Sequence, residues 1–118
     1  YLRGVQIADD RGVVEFTTVF PACYDGRWPH IHFEIYPNAS AIASARNALK
    51  TTQLAFPKEI CQSVYGDSRY TASSGNLQRV SLATDMVFRD DVTKQLASVS
   101  GDVNAGVLAT LTVGVRGM

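Results

Sequence analysis

The chain of 118 residues lacks several features that would place a protein in a class at once. No apolar run approaches the roughly 20 residues that span a bilayer, so these residues contain no transmembrane helix. The 11 basic and 11 acidic side chains cancel, and no Lys/Arg cluster stands out. We therefore expect neither nucleic acid nor a membrane as a partner. With 46% hydrophobic and 19% charged residues, the composition is that of a globular protein.

Cysteine is scarce, since Cys23 and Cys61 are the only two. Two cysteines are too few for a disulfide scaffold. They form either one bridge, which would indicate an exported or cell-envelope protein, or two free buried thiols. The sequence leaves both alternatives, and with them the compartment, open.

The length fits one domain, residues 1–118, with a core of its own. The chain does not begin with Met, and its first residues already have the pattern of a strand. We therefore expect it to be part of a longer protein, shortened at its N-terminus.

Most of the chain is predicted to form strands separated by frequent turns. Asp9 to Gly12 is a turn signal between two strand-like runs, which predicts a hairpin. Pro57 can begin one short helix that runs to about Val64, and an irregular connection is predicted at 66–78. The pattern favours an all-β fold, an antiparallel β-sandwich with one short helix. The predicted strands cover residues 1–7, 13–20, the segment that carries the histidines, 50–56, 80–88, 95–100 and 107–115.

The only two histidines, His30 and His32, lie two residues apart in a strand-like run. On a strand they project from the same face, roughly 6.6 Å apart along the chain, so two imidazoles can converge on one metal ion. Ile31, Phe33 and Ile35 form the opposite, apolar face. This pattern is typical of a sheet with one side packed and the other lining a site.

Tyr24 lies six residues before His30, across Gly26 and Pro29, which can turn the chain back. Tyrosine is an unusual ligand because a phenol ordinarily loses its proton only near pH 10. A hard, highly charged cation such as Fe(III) can bind the phenolate, and imidazole also suits iron. One Tyr with two His therefore indicates ferric iron rather than zinc, for which Cys or a carboxylate would be expected.

The segment from Pro21 to Phe33 resembles the iron motif of the intradiol ring-cleavage dioxygenases, which include the protocatechuate 3,4-dioxygenases and the catechol 1,2-dioxygenases. The shared pattern is Pro-x-x-Tyr, an Arg three residues before the first His, and His-Ile-His-Phe. The chain is most similar to the compact branch described as protocatechuate dioxygenase β-subunit-like. The likeness extends to residues 2–6, 9–18, 52–54 and 109–115.

The resemblance implies a function for each matched residue. Tyr24 would be the axial tyrosinate ligand, His30 the axial histidine and His32 the equatorial histidine of a non-haem Fe(III) ion. Arg27 would lie beside the bound substrate, and Gln53 near the substrate and oxygen pocket. The implied protein is an oxidoreductase of aromatic compound catabolism, which cleaves a catechol-type ring with O₂ to a muconate-type dicarboxylate. Its partners would be a small aromatic diol and O₂, with a homo-oligomer left open.

One ligand of the family pattern has no match. The family uses a second, equatorial tyrosine, which lies upstream of residue 1 in its pattern. Tyr36 shares the face of His32 but lies roughly 13 Å along the strand, and Tyr65 and Tyr70 fall in the predicted helix and loop. We therefore expect truncation to have removed this ligand and to weaken iron binding.

Two other interpretations of the same residues remain open. The domain could be a β-sandwich binding or structural module with a degenerate iron site. It could also be a cupin-like metalloenzyme, since cupins place His-x-His on a strand. The cupin pattern has a Glu a few residues later and a third His far downstream, whereas Glu34 is only two residues from His32 and no His follows.

Overall fold

The structure, a computed structural model, describes residues 2–117. These residues form two two-stranded antiparallel sheets, two α-helices and three short 3₁₀ helices. Antiparallel strands were predicted, but the fold is mixed and is not clearly an all-β sandwich. Its elements are β1 (His30–Ile35), β2 (Lys50–Ala55), α1 (Lys58–Val64), α2 (Thr71–Leu77), β3 (Ser98–Asp102) and β4 (Gly106–Thr110), with 3₁₀ turns at Ala39–Ala43, Ala45–Asn47 and Ser68–Tyr70.

The sheet that carries the histidines pairs β1 with β2. Its register places His32 opposite Gln53 and His30 opposite Ala55. Side chains directly opposite one another on an antiparallel pair share a face, so His32 and Gln53 lie on the same side of the sheet. On the strand itself, half-buried apolar residues alternate with exposed His32 and Glu34, which confirms the predicted apolar face.

The hydrophobic core lies around the two helices and the C-terminal end of β2. Its buried members come from the end of β2, from α1 and α2, from the residues directly after β2 and α1, and from two irregular segments, 20–29 and 80–97. The site-bearing segment 20–29 is therefore packed against the helices. The buried core residues are Cys23, Trp28, Ala55, Phe56, Cys61, Val64, Tyr65, Leu77 and Phe88.

The N-terminal hairpin is present only as its turn. Asp9 Oδ1 accepts hydrogen bonds from the backbone N–H groups of Arg11 and Val13. The described residues flanking this turn are not in strands; Tyr1 lies outside the described residues. Phe16 is 52% exposed.

The predicted strand at 80–88 is wrong, since this segment forms turns. Ser81 and Thr84 exchange backbone and side-chain hydrogen bonds, and Asp85 accepts from the N–H groups of Val87 and Phe88. Such side-chain bonds to nearby backbone compete with the strand ladder. The connection at 66–78 likewise contains α2, a helix that was not predicted.

The two strands predicted near the C-terminus are confirmed in part, and they pair as a hairpin. β3 overlaps the predicted strand at 95–100, and β4 covers the first part of the strand predicted at 107–115. Asp102 Oδ1 accepts from the N–H groups of Asn104 and Ala105 and so stabilises the turn between them. Within residues 2–117, no helix is both long and apolar enough to cross a membrane.

Candidate metal centre

The segment that precedes Tyr24 has no regular structure but is anchored to α2. The backbone N–H of Cys23 donates to Ser73 Oγ at 3.0 Å. Its carbonyl accepts from Asn76 Nδ2 at 2.9 Å. These two bonds satisfy the polar backbone of a buried residue, and they fix the position from which Tyr24 projects.

A turn then separates Tyr24 from Arg27. The N–H of Arg27 donates to the carbonyl of Tyr24 at 3.3 Å. Gly26 has φ of +82°, the value that the third residue of a type II turn requires and that glycine adopts without strain. The predicted chain reversal at Gly26 is therefore confirmed.

Arg27 is held from two sides. Its Nε donates to Asp85 Oδ2 at 2.9 Å, and its Nη2 donates to Gln53 Oε1 at 2.7 Å. The structure thus joins Arg27 and Gln53, the two residues predicted to lie near a substrate. Gln53 contacts the guanidinium directly.

Asp85 is a part of this site that the sequence analysis missed. Its side chain is fully buried, and burial alone would raise the pKa of its carboxyl group. Hydrogen bonds from Arg27 and from the backbone N–H groups of Trp28, Val87 and Phe88 outweigh burial and lower that pKa. Asp85 is therefore an ionised acceptor beneath Arg27.

His30 is oriented by the backbone. Its Nδ1 lies 2.6 Å from the carbonyl oxygen of Trp28; since a carbonyl only accepts, Nδ1 carries the hydrogen. Trp28 is itself buried, with its indole N–H donating to the carbonyl of Phe56 at 2.8 Å. Burial is the main cause that lowers the pKa of His30. The imidazole is therefore neutral near pH 7, with the Nε2 lone pair available.

His32 is held more loosely. Its Nε2 lies 3.4 Å from Glu34 Oε1, and its side chain is 51% exposed. Glu34 also accepts a hydrogen bond from the Tyr36 hydroxyl. Hydrogen bonds with the Tyr36 hydroxyl, which has the larger effect, and with His32 lower the pKa of the Glu34 carboxyl. In contrast to His30, no buried group among residues 2–117 fixes the ring of His32.

Tyr24 differs from the other described tyrosines. The hydroxyl groups of Tyr36, Tyr65 and Tyr70 each donate to a protein oxygen. Among residues 2–117, the Tyr24 hydroxyl has no such partner, and the residue is 59% exposed. Its ring meets the His30 ring edge-on, with centroids 6.2 Å apart. Within the part of the chain that the structure describes, a phenol without a hydrogen bond therefore lies beside an imidazole whose Nε2 has no partner.

Four of the five predicted site residues form two contacting pairs, and the fifth, His32, is the cross-strand neighbour of one of them. Tyr24 adjoins His30, Arg27 is bonded to Gln53, and His32 lies opposite Gln53 in the sheet. Residues 2–117 contain no group of three or more His, Cys, Asp and Glu side chains that could hold a metal ion. The predicted ligand set instead contains a tyrosine.

No family model, curated protein or solved structure matches the chain.

The two cysteines are free and buried in the structure. Burial raises the pKa of the Cys23 thiol and raises that of Cys61 to about 12. Both therefore remain protonated near neutral pH, whereas a metal-binding or nucleophilic cysteine is a thiolate. They serve as small core residues here.

Asp85 predicts a specific loss of stability in acid. Because its pKa is lower in the folded state, its contribution is complete above about pH 4 and is lost as the pH falls through the folded value. We expect Asp85→Asn to be less stable than wild type at pH 7, and this difference to shrink below pH 4. Urea unfolding across this range measures it. Asp90→Asn, which replaces an exposed carboxylate outside the site, is the control. A difference that does not change with pH would contradict the assignment.

Proposed function

We propose that this chain is the catalytic domain of a non-haem Fe(III) intradiol dioxygenase, which opens a catechol-type ring with O₂ to a muconate-type dicarboxylate. The observation that carries the proposal is the pair of unbonded donor atoms on the adjacent rings of Tyr24 and His30. We further propose that the antiparallel strands belong to a β-sandwich of the intradiol type.

The donor set fits ferric iron chemically. Tyr24 Oη, His30 Nε2 and His32 Nε2 would hold the ion, since a hard phenolate oxygen and imidazole nitrogens both suit iron. The bond from His30 Nδ1 to the Trp28 carbonyl is the usual outer support of a metal-binding histidine. The contact between His32 and Glu34, at 3.4 Å, is long enough to yield to a metal. The second tyrosine of the family pattern has no match here.

Ferric iron in such a site would supply the Lewis acidity that makes the hydroxyl groups of a catechol easier to deprotonate. Tyr24 Oη, as a phenolate, would accept a proton from an arriving catechol hydroxyl. Arg27 would stabilise the negative charge that develops on the ring, as a cation fixed before the reaction begins. Both atoms of O₂ enter the ring-opened diacid, so the reaction balances without a further reductant.

Titration of the metal-free protein with Fe(III) tests the proposal. Tyrosinate bound to ferric iron absorbs visible light by charge transfer, so we expect a burgundy complex that consumes O₂ when catechol is added. Absorbance, iron content and O₂ uptake are the measurements. A colourless protein that binds no iron would support the degenerate module instead, and a colourless metal complex would support the cupin-like alternative.

Tyr24→Phe should remove the part of the visible band that depends on this tyrosine. Iron should remain bound at reduced affinity, because His30 and His32 are retained, and catechol turnover should fall because no phenolate accepts its proton. Tyr36→Phe is a matched control, since Tyr36 is bonded to Glu34. Full colour and normal ring cleavage in Tyr24→Phe would show the assignment to be wrong.

A further inference from the structure

Asp85 is the most completely buried charged group among the described residues, at 1% exposure. Its Oδ2 accepts from the backbone N–H of Trp28 at 2.7 Å and from Arg27 Nε at 2.9 Å. Its Oδ1 accepts from the N–H groups of Val87 and Phe88 at 2.8 and 3.2 Å. A buried carboxylate is costly unless its bonds are made in good geometry, so this arrangement fixes the groups that surround it.

The guanidinium of Arg27 is fixed by this carboxylate. Nε donates to Asp85 and Nη2 donates to Gln53, so two of the three nitrogens of the rigid, planar guanidinium already have protein partners. Nη1 makes no hydrogen bond to residues 2–117, and the side chain remains 20% exposed. The amino group left free is therefore the one that a ligand can meet.

The same carboxylate also supports His30. It accepts from the N–H of Trp28, and the carbonyl of Trp28 accepts from His30 Nδ1. On the other side, the ring of Phe88, whose N–H is bonded to Asp85, lies 6.4 Å from the His30 ring between centroids. One buried carboxylate thus supports Arg27 directly and His30 through the backbone of Trp28.

We propose that Asp85 is the positioning residue of the site: it holds Arg27 so that Nη1 faces the ring of a bound catechol, and it fixes the separation between Arg27 and His30. This inference rests on the proposed function. Asp85 touches neither metal nor substrate. It acts on the catechol through Arg27, to which it is bonded directly, and reaches His30 only through the backbone of Trp28.

A double-mutant cycle on the iron-loaded chain tests this route, with catechol as the probe and affinity read from the visible band. Asp85→Asn should weaken catechol binding by about 10- to 100-fold, as the loss of an outer supporting group does. In the Arg27→Met background, the same change should have an effect below about twofold, because the group it positions is gone. Equal losses in both backgrounds would indicate a merely structural effect and overturn the proposal. Asp90→Asn is the control.

A second measurement needs neither iron nor catechol. In the metal-free wild type, the NMR order parameter of the Arg27 Nε–H should be near the rigid value of about 0.85, and in Asp85→Asn it should fall below about 0.6. Arg11, whose side chain is 82% exposed, should be flexible in both. An unchanged value in the variant would overturn the proposal.

The two measurements separate the possible failures. If the iron-loaded wild type does not bind catechol, the proposed function fails, while the order parameter still decides whether Asp85 fixes Arg27. If Asp85→Asn does not fold, the order parameter of the wild-type protein is the test by itself. A flexible Arg27 Nε–H overturns the proposal, and a rigid one supports it.

Discussion

In the proposed Fe(III) site, replacing His30 by Ala should reduce iron affinity more than replacing His32 by Ala. The Trp28 carbonyl already orients the His30 ring, so its Nε2 is directed before the metal arrives. His32 is 51% exposed, and its only hydrogen-bond contact within the described residues is the 3.4 Å one with Glu34. A ligand that is fixed in advance loses less conformational freedom on binding and therefore contributes more affinity.

We expect His30→Ala to weaken Fe(III) binding by more than about 100-fold and His32→Ala by about 10-fold. For comparison, loss of a residue that only supports a metal ligand typically weakens metal binding by about 10- to 100-fold. Competition with a chelator of known affinity measures both. Glu34→Gln is the control, since it removes only the carboxylate charge beside His32. Equal losses, or a larger loss for His32→Ala, would contradict the idea that Trp28 preorganises His30.

The elements that carry the histidines could be predicted because their signals are local. Alternation of apolar and polar residues indicates β1, and its register with β2 places Gln53 opposite His32. Pro57 precedes α1 as its N-cap, and the helix ends at Val64 as predicted. These patterns agree with the tertiary environment, so local preference and packing lead to the same structure.

The second helix could not be predicted, because its own sequence is unfavourable. α2 contains Gly75 and two serines, which are weak helix formers. It forms where tertiary contacts support it: Ser73 accepts from the Cys23 backbone, and Leu77 is buried in the core. In the same way, 80–88 appears β-prone but forms turns around Asp85.

The candidate ligands could be named from sequence because they lie within nine positions, between Tyr24 and His32. Asp85 could not be named from sequence, since it lies 58 residues from Arg27. Nothing in the sequence distinguishes it from the other aspartates until its partner is known. The available signal was an aspartate directly followed by the apolar residues 86–88. Only the fold shows which donors it meets.

The interdependence of Asp85 and Arg27 leads to the second large effect. Arg27 is the cation that compensates the buried carboxylate. Arg27→Met retains much of the side-chain volume but leaves that charge with backbone donors alone. Since removing one partner of a buried pair leaves an uncompensated charge, we expect the free energy of unfolding to fall by about 3 kcal/mol. Arg69→Met, which breaks an exposed pair with Asp67, should change it little.

Neutralising Asp85 in the Arg27→Met background should recover part of this loss. The double variant no longer buries an unpaired charge, although the amide at position 85 has a single oxygen, which can accept from Trp28 or from Val87 and Phe88 but not from both sides. We therefore expect the two losses to be non-additive by at least about 1 kcal/mol in urea unfolding at pH 7. Strict additivity would mean that Arg27 and Asp85 are not energetically coupled. In that case Asp85 would stabilise the turn that contains it, and the guanidinium would be held by Gln53 alone.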